Sequence, residues 1–250
     1  MTVKLKKNKI YFASDFHLGM PSLKKSHERE KYILKWLTEI EKDAKEIYLL
    51  GDIFDFWFEY KKVVPKGFIR LLGKLALLSD NGVKIHFFTG NHDLWANDYL
   101  KNEIGITIHR RSKIITLQGK KIFLGHGDGL GKGDYLYKKI KVLFTSKICQ
   151  WAFSRLHPNF ALYLAQTWSS LSRQKKESKF ISEDKEILFE YCKAKEKNIK
   201  MDYYIFGHRH IPLQLKVNKN ATYINLGDWI THNTYAILEN GLISLKKYSS

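Results

Sequence analysis

Five short polar clusters in this 250-residue chain could do chemistry: Asp15-Phe16-His17, Gly51-Asp52, Gly90-Asn91-His92-Asp93, Gly125-His126 and Gly207-His208-Arg209-His210. Imidazole, carboxylate and amide side chains are ligands for divalent transition metals, and the same groups move protons in hydrolysis. Taken singly the clusters say less. An Asp-x-His after a strand is more often a turn than a ligand pair, and Gly-Asp is weaker still. Gly-Asn-His-Asp is more informative, because three polar side chains are costly to bury without partners. His208 and His210 are two residues apart, so on an extended segment both imidazoles face the same side and could meet one ion.

These clusters need elements to bring them together. Ile10 to Ala13, Ile47 to Leu50 and Val83 to Phe88 read as buried strands, each ending in polar residues. Between them, Ser26 to Asp43 and Phe68 to Leu78 carry helical spacing. In α/β sheets ligand sites gather at the carboxyl ends of strands, and that is where the polar residues fall. Ile114 to Leu117 and Lys121 to Leu124 flank the turn residues Gln118-Gly119-Lys120, which predicts a hairpin closed by Gly125-His126-Gly127-Asp128. The pattern is helical from about Asp134 to Lys197. Strands return at Tyr203 to Phe206, Leu213 to Val217, Thr222 to Leu226, Thr234 to Leu238 and Leu242 to Leu245. The expected organisation is a core over 1–133 and 201–250, interrupted by a helical insertion over 134–200.

Composition bounds the class. The chain is 44% hydrophobic and 27% charged, near ordinary globular usage, which excludes collagen-like and disordered chains. Lys and Arg number 43 against 25 Asp and Glu, a net charge of +18. Such a surplus draws in polyanions, phosphorylated substrates or an anionic membrane face, without choosing among them. Cys149 and Cys192 lack metal-binding spacing and are expected as free thiols in a reducing compartment. The start of the chain carries lysines but no apolar signal region, and nowhere do about 18 apolar residues run together. A cytoplasmic protein is expected, able to touch a membrane from outside.

In order and context the five clusters resemble the calcineurin-like metallophosphoesterases, whose pattern is D-x-H, GD, GNH(D/E), H and GH-x-H. The resemblance runs from Ile10 to about Trp229. It implies a four-layer α/β sandwich, two sheets face to face with helices outside, and two divalent ions. Asp15, His17, Asp52 and His210 would hold one ion; Asp52, Asn91, His126 and His208 would hold the other. Two adjacent ions activate water and clamp phosphoryl oxygens. Mixed nitrogen and oxygen donors fit Mn, Fe or Zn better than Mg or Ca. By the same resemblance His92 is not a ligand but meets the phosphoryl group or passes a proton to the leaving oxygen. Asp93 would orient His92, or else cap a helix starting at Leu94-Trp95. His27, His86, His109, His157 and His232 lack this context. Asp228 reads equally as support for the site or as a strand-end turn.

The insertion bears on the substrate. Lys138 to Lys179 holds nine Lys or Arg and one acid, Glu177, interleaved with Phe144, Trp151, Phe153, Phe160, Tyr163 and Trp168. That mixture suits an amphipathic lid on an anionic membrane, nucleic-acid binding, or a solvated basic face over an ordinary helical core. The insertion, the run Phe54-Asp55-Phe56-Trp57 and the ending Leu226-Gly227-Asp228-Trp229 are similar to those of the UDP-2,3-diacylglucosamine diphosphatases of lipid A synthesis. The similarity implies cleavage of the pyrophosphate of UDP-2,3-diacylglucosamine to UMP and 2,3-diacylglucosamine 1-phosphate, with manganese, at the inner membrane. Asp128 and Asp134 are the candidate substrate contacts. That group usually reads GNRD, whereas this chain has His92 in place of Arg. Two other readings stay open here: a nucleotide phosphodiesterase or nuclease, and a binding module on the same fold without activity.

Overall fold

The computed structural model describes residues 7–132, 135–174 and 182–249. Asp134 and the lysine-bearing start of the chain, 1–6, lie outside the described residues. The first half runs β1 (Lys9–Ala13), α1 (Leu23–Ile40), β2 (Ala44–Leu50), α2 (Ile69–Asp80), β3 (Lys84–Phe88), α3 (Tyr99–Ile104) and β4 (Thr107–His109). A hairpin, β5 (Lys113–Leu117) and β6 (Lys120–Leu124), leads into α4 (Tyr135–Thr145), α5 (Lys147–Phe153), α6 (Pro158–Gln174) and α7 (Ile187–Glu196). The chain ends with β7 (Tyr203–Phe206), β8 (Pro212–Lys216), β9 (Thr222–Leu226), β10 (Thr234–Glu239) and β11 (Leu242–Lys247).

Alternation along the strands dictates the layers. Ile10 and Phe12 of β1 point one way with Tyr48 and Leu50 of β2, while Tyr11, Ala13, Ile47 and Leu49 point the other. Strands apolar on both faces must be covered on both. One face packs on Ile33, Trp36 and Leu37 of α1 and Leu71, Leu75 and Leu78 of α2. The opposite face meets Ile122, Leu124, Ile205, Ile224 and Leu226 of a second sheet. That sheet turns Phe123, Tyr204, Phe206 and Tyr223 outward onto Leu188, Phe189 and Cys192 of α7. The result is helix, sheet, sheet, helix: the expected four-layer sandwich.

The first sheet has the order β11-β10-β1-β2-β3-β4, and the second β5-β6-β7-β9-β8. β1 to β4 are mutually parallel, as are β6, β7 and β9. In the hairpin, Leu117 pairs with Lys120 across Gln118 and Gly119. Both turn residues have positive φ, 46° and 77°, the two-residue turn whose twist matches the flanking strands. α3 and β4 are too short to leave a readable period, and the sequence pattern misses both. No helix begins at Leu94; the next is α3 at Tyr99. Within the helical stretch expected as one insertion, α7 forms the outer layer of the second sheet, whereas α4 to α6 lie over the loops that follow the parallel strands.

Candidate metal centre

Each polar cluster follows a parallel strand: Asp15 and His17 after β1, Asp52 after β2, Asn91 and His92 after β3, His126 after β6, His208 and His210 after β7. The two sheets therefore deliver their carboxyl ends to one place. Asp15, His17, Asp52, His208 and His210 all take positive φ, between 43° and 68°. Such conformations cost about 1 kcal/mol or more each and persist where surrounding contacts enforce them. Here the loops are stitched together. Asp15 N donates to Gly51 O at 3.0 Å and His17 N to Asp52 O at 2.9 Å. His208 N donates to Asp15 Oδ2 at 3.0 Å, and His92 N to Asp52 Oδ1 at 2.9 Å. The neighbouring glycines permit this closeness, since a Cβ on Gly90 would strike the Asp52 carboxylate and one on Gly207 the Asp15 carboxylate.

Two donor groups result. Ligand atoms of Asp15, His17 and His210 lie within 4.8 Å of one another, and so do those of Asp52, His126 and His208. Asp52 stands between them, with Oδ2 at 3.7 Å from His17 Nε2 and 3.2 Å from His126 Nε2. Asn91 Oδ1 is 3.3 Å from His126 Nε2, and the Nε2 atoms of His17 and His210 are 3.1 Å apart. His126 Nδ1 donates to the Leu50 carbonyl at 2.7 Å, which leaves the Nε2 lone pair toward Asp52 and Asn91.

The electrostatics call for positive charge at these nitrogens. Burial opposes protonation of His17, yet the carboxylates of Asp15, Asp55 and Asp52 outweigh it and push the imidazole up to about 10. Burial likewise opposes protonation of His126, and Asp52 chiefly drives it up to about 10. Asp52 itself is held well below its ordinary value despite burial, by the imidazoles of His126, His92 and His17. A proton or a metal ion answers the same demand, and convergent imidazoles, carboxylates and an amide oxygen are the donor set of a dinuclear transition-metal centre. The residues present fit two divalent ions.

A third grouping joins His17 and His92 through Asp55, from the run Phe54-Asp55-Phe56-Trp57, whose role no local sequence pattern reveals. Asp55 Oδ1 lies 3.4 Å from His17 Nδ1, opposite the nitrogen that faces the donor group. It thereby orients that imidazole, as carboxylates do behind metal-bound histidines. His92 Nδ1 is 2.9 Å from the Asp55 carbonyl, an acceptor only, so Nδ1 carries the proton and Nε2 is left unprotonated. Burial holds His92 below its ordinary value against the pull of Asp52, which keeps the ring neutral near pH 7.

Asp93 does not contact the His92 ring by any hydrogen bond; its carboxylate accepts from Gly90 N at 2.6 Å and Ile53 N at 2.8 Å, stapling the loops after β2 and β3. Asp228 makes contacts on two sides. Oδ1 accepts from Thr231 N and His232 N at 2.8 and 2.9 Å, and Oδ2 lies 3.7 Å from His210 Nδ1. Arg209, between the two histidines, pairs through Nε with buried Glu186 at 3.0 Å.

Helices α4 to α6 are pinned beside this centre. Buried Asp128 accepts from Tyr137 and, at 2.6 Å, from Lys141 of α4, so in this structure it holds that helix. Trp95 Nε1 donates to Phe144 O at 2.7 Å, and the Phe153 ring packs 4.8 Å from Phe58. Ser169 of α6, for which the sequence offers no signal, donates to Asp55 Oδ2 at 3.1 Å and lies 3.0 Å from His92 Nδ1. The outward side stays apolar, with Ile148 80% and Trp151 60% exposed.

Comparison with known proteins gives the family. The profile of the calcineurin-like phosphoesterases matches residues 8–212. A UDP-2,3-diacylglucosamine hydrolase of Porphyromonas gingivalis is 36% identical over 259 residues, covering 96% of this chain and 97% of that protein. One of Histophilus somni is 28% identical, covering 93% of this chain and 97% of its own. One of Haemophilus influenzae is also 28% identical, over 88% of this chain and 90% of its own. The chain belongs to the calcineurin-like phosphoesterase family.

Proposed function

We propose that this metal-dependent hydrolase cleaves the pyrophosphate of UDP-2,3-diacylglucosamine, giving UMP and 2,3-diacylglucosamine 1-phosphate for lipid A biosynthesis. The observation that carries the reading is the lid: apolar, basic helices tethered by Asp128 and Ser169 directly over the donor cluster. Such a cover suits a substrate with acyl chains at one end and a pyrophosphate at the other. Relatives bearing that activity in their name align along nearly the whole chain, lid included.

Asp15, His17, Asp52 and His210 would hold one divalent ion, and Asp52, Asn91, His126 and His208 the other. When bound, such ions activate water and neutralise the phosphoryl charge. Manganese is the first choice, with iron and zinc accepted by the same donors. Asp55 and Asp228 orient the histidines of the first group. His92 stands where these diphosphatases usually carry Arg; its Nε2, unprotonated in the neutral ring, would take up a proton there before donating to a phosphoryl or leaving-group oxygen. Asp128 acts on substrate through the lid it holds. The exposed apolar side chains and lysines of α4 to α6 rest on the anionic cytoplasmic face of the inner membrane.

The test is UMP release from UDP-2,3-diacylglucosamine with manganese, beside an Asp52→Ala control. Turnover that vanishes in the control supports the reading. Equal cleavage of water-soluble UDP-sugars sinks it. The alternative, a nucleotide phosphodiesterase or nuclease, is favoured by His92 and the net charge, and wins if generic diesters or DNA are cleaved and the lipid substrate is not.

A further inference from the structure

A second basic and apolar surface adjoins helices α4 to α6. α1 and α2 follow the parallel strands β1 and β2, so both helices begin at the edge where the donor cluster lies. Glu30 of α1 accepts from Leu71 N at 3.0 Å, which ties the start of α2 to α1. Each helix opens with a large aliphatic side chain in water, Leu23 at 74% and Ile69 at 76% exposed. Basic residues accompany them: Lys24 and Lys25, then Arg70, with Lys61, Lys62 and Lys66 in the loop before α2. From Tyr60 to Ser79 there is no acidic residue.

This arrangement runs against what helix starts favour. Cations at a helix N-terminus oppose its macrodipole, and neither first turn contains an acidic residue. Among the described residues, none of these six cations pairs with a carboxylate. Phe68, at φ 59°, seats its ring 4.9 Å from Phe54, so the start of α2 is fixed to the core. The lid meets the same strip of chain through Phe58, just before the turn in which Tyr60 N donates to Val63 O at 2.9 Å.

We infer that the rim built from Leu23–Lys25 and Lys61–Arg70 is a second contact with an anionic bilayer, continuous with the lid, so that the membrane meets the enzyme on both components of the site's mouth. Lipid headgroups answer the six cations and the acyl boundary takes Leu23 and Ile69. A nucleic acid would use the cations and leave the aliphatic side chains in water. The inference rests on the membrane reading of the lid.

Flotation with phosphatidylethanolamine–phosphatidylglycerol vesicles tests it on the full chain, comparing wild type, a Leu23→Ser/Ile69→Ser variant and an Ile148→Ser/Trp151→Ser lid variant. The expected result is loss of about tenfold or more in vesicle affinity for the rim variant, with unchanged cleavage of a soluble phosphodiester and unchanged melting. Wild-type affinity in the rim variant, with loss in the lid variant, overturns this inference and leaves the lid reading standing. Failure of the wild type to bind vesicles removes both. Vesicle binding retained but DNA binding lost on replacing Lys61, Lys62 and Lys66 with Gln assigns the rim to nucleic acid instead.

Discussion

Ser169 Oγ, on lid helix α6, stands 3.0 Å from His92 Nδ1 at the donor cluster. The same hydroxyl donates to Asp55 Oδ2 at 3.1 Å, so a hydrogen-bonded chain runs from the His92 ring through the lid to the carboxylate behind His17. Seating the lid and orienting the imidazole are thereby one event. Ser169→Ala should lower turnover of the lipid substrate about fivefold, the worth of roughly one hydrogen bond, with Thr restoring part of it. Cleavage of a small soluble diester should fall less. Equal losses on both substrates, or none, contradict the coupling.

Asp52 and Asp55 separate by role. Asp52 lies between both donor groups, so Asp52→Ala should abolish hydrolysis and reduce bound metal measured by elemental analysis. Asp55→Asn keeps the donors and loses the orienting charge, which costs roughly 10–100-fold in metal affinity or rate at comparable sites. Unaltered metal content in Asp52→Ala would show that the ions sit elsewhere.

Gly90 tests the close approach of the loops. The methyl of Gly90→Ala would strike the Asp52 carboxylate and backbone. Denaturant unfolding should show a loss of about 1–3 kcal/mol, accompanied by weaker metal binding. A variant as stable and as well metallated as wild type would mean that the loops after β2 and β3 have room to part.

Asp128 is expected to govern the lid. Replacing it with Ala frees Tyr137 and Lys141, costing about 1–3 kcal/mol of local stability. Limited proteolysis should then cut within α4 to α6 faster, and KM for the lipid substrate should rise while soluble-diester cleavage persists. An unchanged cleavage rate in the lid denies Asp128 this role.

His109, at the end of β4, should shape acid stability. Its ring lies 4.5 Å from Phe88, and its Nε2 is 3.1 Å from Nδ1 of His86, whose other nitrogen lies 3.7 Å from Glu46. Burial, then the charges of Lys113 and His86, push it down to about 4 from an ordinary 6.5. Between those values the unfolded chain binds a proton that the folded chain refuses. Its contribution to stability is therefore complete above 6.5 and is lost as pH falls toward 4. His109→Gln should shrink the drop in Tm between about pH 7 and pH 5 relative to wild type. An identical drop in both proteins removes His109 as the cause.

The alternation of apolar runs with helical stretches, and hence the parallel sheets, is written into the local sequence. So are the polar clusters at the strand ends, because period and strand-end chemistry are local properties. Short elements such as α3 and β4 left no period to read. Which atoms converge depends on packing over the whole chain. Asp52 reaches both His17 and His126 because two sheets pack face to face, a relationship no window of residues contains. Asp93 accepts from Ile53 N for the same reason, since the loops after β2 and β3 meet only in the folded chain. Ser169 meets Asp55 across 114 residues, through a helix whose pattern says amphipathic and nothing of its seat. Chemistry-bearing residue types are chosen locally, whereas distances among them are set by packing of the whole chain.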